Sequence, residues 1–324
     1  MSPKDAVRDA LQSHDSAATV GRELHAVPPH AVYEVTFDGR RAVCKVARGP
    51  TADPAKEAAV LRYVAAETPV PVPRVLASGD DHFVTEWCDD VPADPPLTEA
   101  RVLAMGRGLA ALHRSAAEDF RATGRVRAGP EGVTHSNDDR WSETLCEVLS
   151  DRASYLDAVG YGDVAREVRS VVRENAERLD AVEDSTLLHG NYLPDHVGVA
   201  GSEVTRVIDF EHALVGPGEW DYLRTVVPVF GIDPTPTDGV SPAAFRNAYE
   251  SIRPLPRGFE RRRPLYHLVN AASYLRALHV QRSHLDAHVG GVEPADPLDA
   301  EAVARRAYDL CTFVRDALDD REGG

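Results

Sequence analysis

The sequence predicts an α+β protein that has an antiparallel sheet with one helix in residues 1–88 and mainly helices in residues 89–324. Apolar residues alternate with polar ones or form continuous runs, as in strands, in four short segments of the first part, at 32–37, 41–47, 74–77 and 83–86. The first two segments flank Asp38-Gly39, a dipeptide that favours a tight hairpin turn. Helix-start signals, in contrast, recur through the second part.

Helices are predicted where a capping residue, often followed by proline, precedes apolar residues at helical spacing. The predicted helices are 3–11 with Ser2 as a cap, 53–66 opened by Asp53-Pro54, 98–114 capped by Thr98, 140–149, 163–182 capped by Asp163, one after Ser241-Pro242, one from Gly258 to about His288, and one from Asp296-Pro297 to about Asp319. Residues 116–133 are polar and predict a loop or an insertion.

Lys45 is an unusual residue for its position. The chain has 36 basic residues, of which Lys4, Lys45 and Lys56 are the only lysines, and Lys45 lies inside an apolar strand. Glu57 follows in the next predicted helix, near the side that carries its apolar residues. A buried glutamate is costly unless a cation compensates it, so we predict a Lys45–Glu57 ion pair. The alternative is a strand lysine that faces solvent.

A polar loop and a carboxylate follow one another in residues 187–221. The loop starts at His189, after two apolar residues that are typical of the end of a buried strand. Two apolar runs, 197–200 and 204–208, then predict a hairpin, and Asp209 comes directly after the second run. Loops on such a scaffold commonly hold metal and substrate ligands.

This stretch resembles the paired motifs of the aminoglycoside phosphotransferase and choline kinase-like family, distant relatives of the protein kinases. The pattern of that family is H-G-D, four residues, N, then I-D-[FWY]-E and a later Asp. The matching residues here are HGN at 189–191, His196, IDFE at 208–211 and Asp221. Asn191 therefore stands where the family has its catalytic Asp, and His196 stands where it has a metal-binding Asn.

The resemblance implies a bilobal, protein kinase-like fold and transfer of the γ-phosphate of ATP to a hydroxyl of a small molecule, with Mg²⁺ as the metal ion. It implies that Lys45, oriented by Glu57, contacts the α- and β-phosphates and that Asp209 binds Mg²⁺. The connector that begins at Glu86 would offer its backbone to the adenine.

The loop residues His189, Asn191, Asp195 and His196 complete the predicted site. His189 supports the loop, and Asp221 would accept hydrogen bonds from the loop's backbone N–H groups. Asn191 cannot take a proton near neutral pH, although its amide can hold an acceptor hydroxyl in line. His196 stands at a metal-binding position, but its nitrogen donor suits Mg²⁺ poorly. We therefore predict that Asp195 takes over as the second metal ligand beside Asp209, with a role as general base as the alternative.

Two classes of function are compatible with these residues. One is an ATP-dependent small-molecule phosphotransferase with altered catalytic residues, and the other is a nucleotide-binding pseudo-kinase that serves as a regulatory or binding module. Asp195 favours the enzyme. Polar residues of the predicted helix that begins at Gly258 also favour the enzyme, because the resemblance places them at the acceptor pocket. The alternative is that they form a solvated helix face. These residues are His267, Asn270, Tyr274, Arg276 and His279.

The composition argues against several other classes of function. A net charge of −16 repels phosphate backbones and anionic lipid, which argues against nucleic-acid and membrane partners. The acid surplus with few lysines predicts a halophilic protein, and the polar N-terminus without a signal-peptide core predicts a cytoplasmic one. The four cysteines form no C-x-x-C pair, so they suggest neither a zinc site nor a disulfide framework. The acceptor substrate and the oligomeric state are left open.

Overall fold

The computed structural model describes residues 2–26, 28–49, 51–129, 132–135, 140–182, 185–231, 240–288 and 300–322. These residues belong to two compact units. The first unit comprises residues 1–137 and 184–255, and the second comprises residues 138–183 and 256–324.

The first unit begins with a sheet of five strands, β1 (Thr19–His25), β2 (His30–Phe37), β3 (Arg40–Ala47), β4 (Val75–Ser78) and β5 (His82–Glu86). The strands are antiparallel and pair in the order β1-β2-β3-β5-β4. Asp38 and Gly39 both have positive φ, as a tight hairpin between two twisted strands requires, so the first predicted hairpin is confirmed. β1 was not predicted, because all but one of its residues are exposed and its charged side chains conceal the alternation.

Two helices accompany this sheet, α1 (Pro3–Gln12) and α2 (Pro54–Glu67), and both begin as predicted. α1 buries Val7 and Leu11 against the core of the sheet. The Asp53 side chain caps α2 by accepting a hydrogen bond from the backbone N–H of Lys56 at 2.9 Å. α2 buries its apolar residues and fixes Glu57 in its first turn.

The described residues in the rest of the first unit form three α-helices and six short strands, besides a 3-10 turn at Pro194–His196. They are α3 (Glu99–Ala116), β6 (Gly124–Gly129), β7 (Gly132–His135), β8 (Thr186–Leu188), β9 (Val197–Ala200), β10 (Glu203–Val207), β11 (Leu214–Gly216), α7 (Gly218–Phe230) and α8 (Pro242–Glu250). One sheet has the order β7-β6-β11-β8, and β9 and β10 form the hairpin that the sequence predicts.

The loop or insertion predicted at 116–133 is wrong for residues 124–129 and 132–133, where β6 and the start of β7 lie. β6 pairs with β11 and with β7. Arginines alternate with Val126 and Ala128 in this strand, so its polarity resembles that of a loop, although Val126 is buried.

The second unit is helical and contains α4 (Trp141–Ala158), α5 (Gly162–Glu174), α6 (Ala176–Asp180), α9 (Phe259–His288) and α10 (Ala300–Glu322). The helix predicted at 163–182 is two helices, because α5 ends at Glu174 and the next residue, Asn175, caps it with a side chain that donates to the carbonyl of Val171 at 2.8 Å. Asp163 is not the cap, since α5 already begins at Gly162. The predicted start at Asp296-Pro297 lies outside the described residues.

The predicted α+β class, with an antiparallel sheet near the N-terminus and helices toward the C-terminus, is confirmed. The division at residue 88 remains a prediction. His267 and Asn270 of α9 are buried, so they do not form a solvated face. In the part of the chain that the structure describes, no helix combines the length and the apolar character that a membrane span needs.

Candidate functional site

Lys45 lies in the middle of β3, between Val32 of β2 and Phe83 of β5. Its side chain is buried, with only 8% exposed, and its Nζ atom lies 2.8 Å from Glu57 Oε2. The predicted Lys45–Glu57 ion pair is therefore confirmed. The ammonium also donates to two carboxylates that follow the β9–β10 hairpin, Asp209 at 2.7 Å and Glu211 at 2.9 Å.

The three carboxylates carry two more negative charges than the one ammonium can balance. Among the described residues, Glu57, Asp209 and Glu211 form a group whose ligand atoms lie within 4.8 Å of one another. Hard oxygen atoms at this spacing are the ligands that Mg²⁺ and similar divalent cations prefer. The cluster therefore has the charge and the donor atoms to hold a divalent cation.

The ionisation of these groups follows from burial and from the charges beside them. Burial disfavours the ammonium of Lys45, but the three carboxylates outweigh it and raise its pKa well above the ordinary value. Burial likewise opposes ionisation of Asp209, yet Lys45 outweighs it and lowers the pKa of Asp209 to about 2. The pKa of Glu57 is raised, because burial and the two other carboxylates exceed the attraction of Lys45. Glu57 Oε2 has the charge of Lys45 within 2.8 Å, but it accepts no well-directed hydrogen bond from the residues that the structure describes.

Asp209 has an unusual backbone conformation, with φ at 67°. This left-handed region is uncommon outside glycine, although Asp and Asn tolerate it better than other residues do. The adjacent Ile208 is tied to the polar loop at both of its backbone groups. Its N–H donates to the carbonyl of His196 at 3.0 Å, and its carbonyl accepts from His189 Nε2 at 2.9 Å. Asp209 is thus held at a fixed place beside the loop.

The loop itself, residues 189–196, is anchored by Asp221 of α7. The buried carboxylate of Asp221 accepts hydrogen bonds from the backbone N–H groups of His189 at 2.7 Å and Gly190 at 2.9 Å, as predicted. Gly190 has φ at 78°, and a Cβ atom there would lie 2.2 Å from the carbonyl oxygen of His212, so only glycine fits. Burial lowers the pKa of His189 to about 4 and keeps its ring neutral.

His113 of α3 is a site residue that the sequence analysis missed. Its fully buried ring lies between Asp221 Oδ2, at 3.1 Å from Nε2, and the hydroxyl of Tyr249 of α8, at 2.8 Å from Nδ1. Burial opposes the charge of Asp221, but the hydrogen bond with His113 and those from the loop lower its pKa. A histidine on the apolar face of a predicted helix was the available signal.

The other predicted residues of the loop, Asn191, Asp195 and His196, form no hydrogen bond or ion pair with Lys45 among the described residues. The Asn191 side chain has no hydrogen-bond partner among the described residues, while its carbonyl accepts from His196 Nδ1 at 2.8 Å. His196 Nε2 lies 3.4 Å from Asp209 Oδ2 and 3.9 Å from Asp195 Oδ2. Asp195 is 47% exposed and does not belong to the group of three clustered carboxylates. The catalytic and metal-binding roles of these residues remain predictions.

Glu86 was predicted to lie at the nucleotide site and Glu211 was not, and the contacts of the two side chains differ from that prediction. Glu86 ends β5, and its carboxylate accepts from the backbone N–H of Arg74 at 3.1 Å and from the Arg206 side chain at 3.2 Å, so its side chain is engaged in structural contacts. The predicted role of the Glu86 connector beside adenine remains a prediction.

Glu211 received no role from the sequence, yet it contacts Lys45, and it lies 2.9 Å from the buried imidazole of His30. Burial opposes its ionisation, but Lys45 and His30 lower its pKa.

The chain is similar to known proteins in its sequence pattern and in its fold. The phosphotransferase enzyme family (APH) matches residues 29–265, which contain Lys45, Asp209 and Asp221. A candidate fructosamine-3-kinase from Thermobifida fusca YX-ER1 is 21% identical, with a TM-score of 0.62 over 94% of this chain and 99% of that one. A thermostable variant of the aminoglycoside phosphotransferase APH(4)-Ia, in ternary complex with ADP and hygromycin B, is 16% identical, with a TM-score of 0.63 over 95% of this chain and 98% of that one.

A candidate fructosamine-3-kinase from Haemophilus somnus 129PT is also similar, at 15% identity, with a TM-score of 0.62 over 96% of this chain and 97% of that one. A comparison with curated proteins finds no significant match. At these identities the solved structures establish the fold, and the family match spans well over half of the chain. This chain therefore belongs to the phosphotransferase enzyme family and has its protein kinase-like α+β fold.

Proposed function

We propose that the protein is an ATP-dependent phosphotransferase that transfers the γ-phosphate to a hydroxyl of a small molecule. The observation that carries this proposal is the buried Lys45 ammonium among Glu57, Asp209 and Glu211. Phosphoryl transfer asks a protein mainly for a cation on the phosphates and for oxygen ligands that hold a divalent metal ion. The complex of APH(4)-Ia with ADP and hygromycin B supports a nucleotide and a hydroxylated acceptor as substrates.

Each residue of the cluster has a separate task in this proposal. Lys45, held in place by Glu57, neutralises charge on the α- and β-phosphates. Asp209 and Glu211 hold the metal ion, for which the family resemblance implies Mg²⁺. When bound, that ion supplies charge neutralisation at the β- and γ-phosphate oxygens. Glu211 takes the role of second carboxylate ligand that was predicted for Asp195, because Glu211 clusters with Asp209 and Asp195 does not.

The acceptor hydroxyl is oriented by the loop. The Asn191 amide has no hydrogen-bond partner among the described residues, so it is available to a substrate hydroxyl. An amide positions the hydroxyl without taking its proton. Asp195, half-exposed on the same loop, then takes the alternative role that the sequence allowed, as the base for that proton.

The second candidate is a nucleotide-binding pseudo-kinase with a regulatory role. Asn191 favours it, because the residue in the position of the family's catalytic carboxylate cannot accept a proton. Lys45, Glu57 and Asp209 would bind the nucleotide in both cases. Turnover, and not nucleotide binding, therefore separates the two functions.

An ADP-release screen tests the proposed function. ATP and GTP are offered with aminoglycosides, choline, homoserine, methylthioribose and amino sugars, in potassium chloride, and nucleotide binding is measured by calorimetry. Release of ADP that depends on one class of acceptor supports the enzyme. Nucleotide binding without any acceptor-dependent release supports the pseudo-kinase. If the chain binds no nucleotide in the presence of Mg²⁺ or Mn²⁺, both functions are rejected.

We also propose that the protein works in a salt-rich cytoplasm, and its melting temperature should then rise with potassium chloride. A net charge of −16 causes self-repulsion in dilute buffer, which molar salt screens within about 3 Å. Each kcal/mol of repulsion relieved raises the melting temperature by about 2–4 °C in chains of 150–250 residues. Calorimetric scans between low and molar salt measure the slope. A melting temperature that does not respond to potassium chloride would contradict the halophilic interpretation.

A further inference from the structure

His196 is the one loop residue whose ring faces the carboxylate of Asp209, and its tautomer is set by the backbone. Nδ1 lies 2.8 Å from the carbonyl oxygen of Asn191. A carbonyl only accepts hydrogen bonds, so Nδ1 must carry the hydrogen. In the neutral ring, Nε2 is then the atom with the free lone pair.

That lone pair faces negative charge. Nε2 lies 3.4 Å from Asp209 Oδ2 and 3.9 Å from Asp195 Oδ2. Both separations exceed the 2.7–3.2 Å of ordinary N–H···O hydrogen bonds. A nitrogen lone pair beside carboxylate oxygens is unfavourable unless a proton or a metal ion lies between the atoms, and only a metal ion is bound by both atoms at once as ligands. The His196 side chain is 16% exposed, which leaves a path for a small ion from solvent.

The ring is also held in the manner of a metal ligand. Metal-binding histidines almost always donate their second N–H to a carbonyl or a carboxylate, which fixes the tautomer and the direction of the ring. The carbonyl of Asn191 does this for His196. The backbone N–H of His196 donates to Leu193 at 2.9 Å, and its carbonyl accepts from Ile208 at 3.0 Å, so the residue is anchored on both sides.

We propose that His196 Nε2 and Asp209 Oδ2 bind one divalent cation together, and that the nitrogen donor shifts the site from Mg²⁺ toward first-row transition-metal ions such as Mn²⁺ and Co²⁺. Imidazole suits these ions far better than it suits Mg²⁺, which requires oxygen ligands. The inference rests on the proposed function only in that the same ion would serve the bound nucleotide. Mg²⁺ still binds through Asp209 and Glu211, with lower relative affinity.

Electron spin-echo spectroscopy with Mn²⁺ as the probe tests the ligand directly. The full chain, loaded with Mn²⁺ alone, should show ¹⁴N modulation from a bound imidazole, and His196→Asn should remove it. His212→Asn is the matched control, because His212 Nε2 lies 3.2 Å from a carboxylate oxygen of Glu211 and forms no ion pair with Asp209 among the described residues. That control should keep the modulation. A wild-type chain that binds Mn²⁺ without ¹⁴N modulation overturns the proposal.

Competition between Mn²⁺ and Mg²⁺ gives a second, independent measurement. Loss of outer-shell partners alone costs about 10–100-fold in metal affinity, so His196→Asn should lower the affinity for Mn²⁺ by at least about tenfold while that for Mg²⁺ is kept or improved. An unchanged ratio of the two affinities would reject the inference. His196→Gln, with its fold checked by circular dichroism, repeats the test if the asparagine variant does not fold. A chain that binds Mn²⁺ through His196 but no nucleotide leaves this inference intact and rejects the proposed function.

Discussion

Asn191→Asp should raise the rate of phosphoryl transfer by up to about 10²–10⁴-fold, the full contribution of a positioned general base, and by less to the extent that Asp195 already takes the proton. The backbone of this residue is already in place, because Asp221 holds the two preceding N–H groups and His196 holds the Asn191 carbonyl. The substitution changes an amide into a carboxylate of the same shape, and only the carboxylate can take the proton of an acceptor hydroxyl. Steady-state kinetics with the best acceptor of the screen measures the gain.

Asn191→Ala is the control for this experiment. If the amide orients the hydroxyl, alanine should lower the rate below that of the wild type, whereas aspartate raises it. A wild type that binds nucleotide without turnover, and a variant with aspartate that turns over, identify a pseudo-kinase. Equal rates in all three proteins would show that residue 191 does not meet the acceptor, and the assignment would fail.

The sequence predicted those parts of the site in which burying a charged residue costs free energy and few neighbouring residues can offset that cost. Lys45 in an apolar strand and Glu57 beside an apolar helix face require each other, and the structure places them 2.8 Å apart. Asp221 was found because its spacing from the loop follows a family motif. Both predictions depend on short stretches of chain whose local structure the sequence reveals.

The parts that the sequence missed depend on the meeting of distant segments. Glu211 stands two residues after Asp209, yet its contact with His30 joins residues 181 positions apart, and no local pattern indicates that pairing. His113 and Tyr249 are likewise brought together by the packing of α3 against α8. β6 was hidden by its alternating arginines. The periodicity of apolar residues predicts which face of a helix or strand is buried. It does not predict which buried polar groups from distant segments come into contact.

Asp209→Asn should abolish metal-dependent nucleotide binding and lower turnover by at least about 10²–10³-fold, the loss expected when one electrostatic contact to the transition state is removed. The variant should still fold, since asparagine tolerates the left-handed backbone at this position and Lys45 keeps Glu57 and Glu211 as partners. Calorimetric titration with ATP and Mn²⁺ or Mg²⁺, beside turnover measurements, tests both parts. Undiminished metal-dependent binding would remove Asp209 from the metal site.

The stability of the Asp209→Asn variant depends on the direction in which folding shifts the pKa of Asp209. Its pKa of about 2 in the folded chain, against an ordinary 3.8, means that ionised Asp209 stabilises the fold above pH 4 and that this contribution disappears as the pH falls toward 2. Asp209→Asn should thus cost about 2 kcal/mol at pH 7, a difference that shrinks in acid. Lys45→Met, which leaves three carboxylates uncompensated, should cost more, about 3–5 kcal/mol. Urea unfolding of both variants measures the order, and a Lys45→Met chain as stable as the wild type would show that the carboxylates do not depend on this ammonium.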